Sequence, residues 1–98
     1  MSNHVVLNSL LNQLFRSATS VLANMAEGSS NLISCRDRIS KFNLALKETR
    51  ESICWLELLY ELEEISEAEV NDLIKELNDI IRILSKSIIT MRNKQKEF

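Results

Sequence analysis

The sequence predicts an all-α fold: an antiparallel up-and-down bundle of three long helices, oligomeric, in a single domain over residues 1–98. Three observations predict it. Proline is absent and the only glycine is Gly28, so nothing breaks helical backbone over long stretches. Apolar residues recur at three- and four-residue spacing. Serines stand where helices need to start, Ser34 three residues before Asp37 and Ser66 three before Glu69. The connections between helices are short, which makes neighbours antiparallel.

Helix 1 is expected at about 5–28, ending at Gly28, which suits a left-handed C-terminal residue. Leu7, Leu10, Leu11, Leu14, Ala18, Val21, Leu22 and Met25 form its apolar side. Gln13, Ser17, Ser20 and Asn24 form a polar line within roughly 60° on the helix. A helix with one wet face usually carries Lys and Glu there. Small and amide side chains instead let another helix approach and hydrogen-bond, so helix 1 is expected to touch protein on both sides. Helix 2 is expected at about 35–63, with one stripe of Ile39, Phe42, Leu46, Ile53 and Tyr60 and a nearly opposite one of Leu44, Trp55, Leu59 and Leu62. Two apolar sides place it centrally, or between an intrachain core and a subunit interface. Helix 3, at about 67–93, is an ordinary amphipathic helix. Val70, Leu73, Ile74, Leu77, Ile81, Leu84, Ile88 and Met91 form its stripe, with Lys75, Asp79, Arg82 and Lys86 behind.

Composition bounds the function classes. A chain of 98 residues buries only about two-thirds of its unfolded surface, so its core is modest. A hydrophobic content of 45% is too high for disorder, and charge interrupts it too often for a membrane span. No signal-peptide pattern opens the chain, and Cys35 and Cys54 are too few for a disulfide scaffold. A cytoplasmic protein is expected. No Cys-x-x-Cys pair, glycine-rich phosphate loop or Ser-His-Asp set occurs, and His4 is the only histidine. Hence no catalytic residue, metal ligand, cofactor or small-molecule substrate is expected, and the chain reads as no enzyme.

Glu48, Glu51 and Trp55 share one face of helix 2. Two carboxylates beside an aromatic anchor fit an interface that pairs with arginine, Arg16 or Arg50 of a neighbour. The other reading is a solvated rim beside a core tryptophan. As an acid–base pair the glutamates would need a cleft and a positioned water, which a packed helix face lacks. The interface set is therefore Gln13, Arg16, Ser17, Ser20, Asn24, Glu48, Glu51 and Trp55.

Charge is segregated although the net is only −2. Six acids and no base lie between Glu57 and Glu69, and five bases and no acid between Arg82 and Lys96. Antiparallel packing would gather Arg36, Arg38 and Lys41 with Arg92, Lys94 and Lys96 at one end. In a ring these bases would form one face able to hold phosphates at low salt. Alternatively they offset helix C-terminal dipoles. No exposed aromatic ladder accompanies them, so nucleic-acid binding would be sequence-tolerant.

The segments Gln13-Leu14-Phe15-Arg16-Ser17-Ala18-Thr19-Ser20-Val21 and Ala23-Asn24-Met25-Ala26-Glu27-Gly28 resemble the helical motif of bacterial four-helix-bundle proteins. That family includes proteins encoded by intervening sequences within 23S rRNA genes. The motif is also similar to that of the accessory variability determinant of diversity-generating retroelements. Leu44-Ala45-Leu46-Lys47-Glu48, Glu51 and Trp55-Leu56-Glu57-Leu58-Leu59 match the family's second motif in register. The resemblance implies an up-and-down bundle assembling as a homo-oligomeric ring, typically a pentamer. For the retroelement relatives it implies a reverse transcriptase and RNA or DNA as partners. Two features depart from the pattern. Only twelve residues precede Gln13, about one helix fewer than the family carries. Truncation, a partner chain covering helix 1, or a three-helix bundle would each account for it. The chain is also slightly acidic where the retroelement proteins are basic, which leaves open a self-assembling bundle without nucleic-acid binding.

Overall fold

A computed structural model describes residues 3–96 and contains three helices: α1 (Asn3–Gly28), α2 (Cys35–Glu61) and α3 (Glu67–Lys96). Among the described residues the regular structure is entirely helical. The serine signals act as expected. Ser34 caps α2 by accepting the Asp37 N–H at 3.1 Å, and Ser66 accepts the Glu69 N–H at 3.1 Å while donating to its carboxylate at 2.8 Å.

α1 ends at Gly28 as expected, but not in the expected conformation. Gly28 does not adopt a positive φ. It is buried, and a Cβ there would lie 2.5 and 2.6 Å from the Phe42 ring and 3.2 Å from Lys41 Cβ. Gly28 is therefore explained by close approach of α2 rather than by a left-handed cap. The left-handed residue is Glu63, with φ 61°, after α2. The Glu63 N–H reaches the Tyr60 carbonyl at 2.9 Å and the Glu64 N–H reaches that of Leu59 at 3.0 Å. This is the bonding of a Schellman motif, formed here without glycine.

α2 is the centre. α1 and α3 each pack along it in antiparallel sense, and among the described residues they make no close backbone approach to one another. Leu10 and Val21 of α1, Ile39, Leu56 and Leu59 of α2, and Val70, Leu84 and Ile88 of α3 form the apolar core. The deepest line of α2 is Ala45, Thr49, Ser52 and Leu56, which runs between the two stripes expected from sequence. Leu44, Tyr60 and Leu62 are exposed. Small residues dominate this line because two helices must approach α2 at once. Thr49 satisfies its hydroxyl on the Ala45 carbonyl at 2.7 Å. Over Ser52 and Leu56, α1 and α3 leave an open groove of about 250 Å³, walled by Leu14 and Ala18 on one side and by Leu73, Leu77 and Ile80 on the other.

A candidate assembly face and a basic end

The polar line of α1 is used within the chain. Ser17 is fully buried, and its hydroxyl lies 2.8 Å from that of Ser52. Ser20 and Asn24 are half-buried beside it, with the Asn24 amide donating to the Ser20 carbonyl at 2.9 Å. Gln13 is exposed and accepts from Arg16 Nε at 3.4 Å. The line does admit a close helix, as its composition predicts, but that helix is the chain's own α2.

Arg16 meets its own chain. It donates to Glu51 at 2.8 Å and lies 3.5 Å from Glu48, in a contact of charge rather than a directed hydrogen bond. Trp55 is half-buried, and its Nε1 is shielded from solvent without a hydrogen-bond partner. The Arg16 hydrogen bond holds the Glu51 carboxyl below its ordinary pKa, assisted by Glu48 and opposed by partial burial. A depressed carboxylate stabilises the fold above its unfolded pKa, and that contribution disappears as pH falls through the folded value. Glu51→Gln is therefore expected to cost less than about 1 kcal/mol near neutrality, as for an exposed ion pair. The difference from wild type should vanish in strong acid, as read by urea melts between roughly pH 7 and pH 2.5.

The uncovered side of α1 is apolar. Leu11, Phe15 and Leu22 are 45%, 71% and 69% exposed, and with Ala18 they recur at four, three and four residues. This is the spacing of a helix-docking seam. The sequence places Leu11 and Leu22 on one apolar side together with the buried Leu10 and Val21. The usable signal was this second stripe, which includes Phe15. Across the groove, Leu73 of α3 is 40% exposed. Exposed apolar surface that continues along a groove is a feature of interaction surfaces and of ligand grooves alike.

The six predicted basic residues lie on segments that meet at one end, where the Cys35 thiol approaches the Met91 carbonyl at 3.6 Å. Two of them serve the chain. Arg38 is half-buried and donates to the Ser30 carbonyl at 2.9 Å, and Lys41 pairs with Glu27 at 2.7 Å. Arg36, Arg92, Lys94 and Lys96 are exposed, with no ion pair among the described residues. Lys86 adds to this end, beside a groove of about 520 Å³ between α2 and α3, although the sequence placed it behind the α3 stripe. Glu57, Glu61, Glu63, Glu64, Glu67 and Glu69 are exposed around the α2–α3 connection at the other end of a bundle 56 Å long.

Among the described residues, no group of three or more His, Cys, Asp or Glu could hold a metal ion. No helix there is long and apolar enough to cross a membrane.

A model of the family described as 23S rRNA-intervening sequence protein matches residues 4–86. A search of curated proteins finds no match. Among solved structures, the chain is similar to a Bacteroides thetaiotaomicron protein of unknown function from the S23 ribosomal protein family. The two are 35% identical, with 81% of this chain and 72% of that chain covered and a TM-score of 0.77.

Proposed function

Since the chain belongs to the 23S rRNA-intervening sequence protein family, we propose that it is a non-enzymatic, homo-oligomeric scaffold or accessory protein whose basic end engages nucleic acid. The partner is an RNA or DNA backbone, alone or carried by a protein such as a reverse transcriptase. The observation that carries this reading is the separation of charge along the 56 Å bundle. Arg36, Arg92, Lys94 and Lys96 are exposed at one end and the glutamates lie at the other. Backbone binding needs cations that are not already neutralised, and these four meet that condition among the described residues. The uncovered apolar stripe of α1 supplies the means of assembly. Copies joined with their ends in register would multiply the basic surface on one face while the net charge per chain stays unchanged. The net charge of −2 favours a second reading, a protein-only assembly, because the long-range field then repels polyanions.

The test is titration of labelled RNA and DNA at about 20 mM and 150 mM salt, with mass followed by light scattering. Micromolar binding that weakens by an order of magnitude or more at the higher salt is the expected result. It should be lost in the triple variant Arg92→Glu, Lys94→Glu, Lys96→Glu. An assembled protein that binds neither polymer at low salt would leave the protein-only reading.

A further inference from the structure

The groove at the basic end is built for more than general attraction. It is lined by Arg38 and Phe42 of α2 and by Ile83, Lys86, Ser87 and Met91 of α3, and no acid is among its lining residues. Its volume of about 520 Å³ falls within the range of roughly 300–1,000 Å³ usual for small-ligand sites. Lys86 is exposed and has no ion pair among the described residues. Arg38 spends one Nη2 bond on the Ser30 carbonyl at 2.9 Å, which fixes the guanidinium beside the groove. The nearby Glu27 carboxylate is held by Lys41 at 2.7 Å. Phe42, Ile83 and Met91 give the same groove an apolar surface. At its rim the Thr90 hydroxyl donates to the Lys86 carbonyl at 3.0 Å and the Ser29 hydroxyl to that of Met25 at 2.8 Å. Each of these hydroxyls therefore keeps its capacity to accept a hydrogen bond.

We propose that this groove binds a single nucleotide unit, its phosphate between Lys86 and Arg38 and its base on Phe42, Ile83 and Met91. Thr90 and Ser29 accept from the base amino group or the sugar hydroxyl. A bare anion would use only the two cations, and an acidic side chain would leave the apolar surface and the acceptors unmatched. The inference rests on the proposed engagement of nucleic acid and adds to it a defined site, with a base seated in contact with protein. The phosphate could come from a free mononucleotide or from a strand. A strand would place its flanking phosphates toward Arg36, Arg92 and Lys94.

Methionine methyl groups report on the site directly, because Met91 lines the groove and Met25 does not. The full chain, labelled with carbon-13 at its methionine methyls, is titrated with inorganic phosphate, with adenosine monophosphate and with a uridine hexanucleotide. Fluorescence anisotropy follows the hexanucleotide in parallel. The expected result is movement of the Met91 resonance by both nucleotides, with Met25 unmoved. Lys86→Glu should weaken that response about tenfold or more, with its circular dichroism unchanged. A response confined to the hexanucleotide would support the site and identify a strand as the source. A hexanucleotide that binds without moving Met91 would overturn the site while leaving the basic end as a backbone-binding surface. No binding by either readout would remove both. An equal response to inorganic phosphate would reduce the site to an anion hole and overturn the nucleotide assignment. A hexaglutamate peptide that moved Met91 more tightly than the hexanucleotide would overturn it in favour of an acidic protein partner.

Discussion

Leu84→Ala is expected to lower the unfolding free energy by about 2–5 kcal/mol, the usual cost of truncating a buried leucine and leaving a cavity. Leu84 is 1% exposed and lies in the half of α3 that faces the centre of α2. A bundle of this size has only about 5–15 kcal/mol to lose. The effect should also be unevenly distributed. The close backbone approaches of α3 are all to α2, so weakening that contact favours release of α3 before the rest opens. Urea melts followed both by circular dichroism and by Trp55 fluorescence would show it. The helical signal should fall first, and the Trp55 transition, which reports α2, should follow. A loss below about 1 kcal/mol with coincident transitions would contradict the packing described for α3.

Ser17→Leu should be nearly as damaging, at about 1–3 kcal/mol or more, because the site has no room for added carbons. Ser17 is 0% exposed and faces Ser52, itself 1% exposed, with their hydroxyls 2.8 Å apart. One hydroxyl hydrogen crosses between the helices and the other returns to its own helix, at Leu14 or Glu48. Ser17→Ala separates volume from hydrogen bonding. It keeps the close approach and loses one bond, worth about 0.5–1.5 kcal/mol. If the two variants were equally stable in urea, close packing at this seam would not be what the serine provides.

These two sites show how far the sequence can be read. The stripe that contains Leu84 was visible because α3 has one buried face, and the period of its apolar residues states which face that is. Helix starts were equally visible, since Ser34 and Ser66 announce themselves through the residues that follow. The seam at Ser17 was half visible. Its small residues declared a close neighbour, but counting apolar positions hid the matching line on α2. Ala45, Thr49 and Ser52 contribute little hydrophobicity, and their burial comes from proximity instead. The same blindness left Leu11 and Leu22 on one apolar side with the buried Leu10 and Val21. A helix with two apolar sides does not say from sequence which one its own chain will use. Gly28 carried a similar ambiguity, since a left-handed cap and a close approach select the same residue. Of the candidate site, the gathering of bases followed from antiparallel order. The pairing of Lys41 with Glu27 and the seating of Arg38 on Ser30 depend on side-chain reach and left no sequence signal.

The arrangement of α1 and α3 on α2, without close approach to one another, has a consequence for how disturbances travel. With no close backbone approach, α1 and α3 influence each other chiefly by shifting α2 or by closing on something placed in the open groove. A macromolecule held at the basic end of α3 would therefore be felt at the apolar seam of α1 only as strongly as α2 resists bending. The buried line from Ala45 to Leu56 makes α2 the relay between the two flanks. Filling the groove would add a second route and turn two independently fluctuating flanks into one cooperative body.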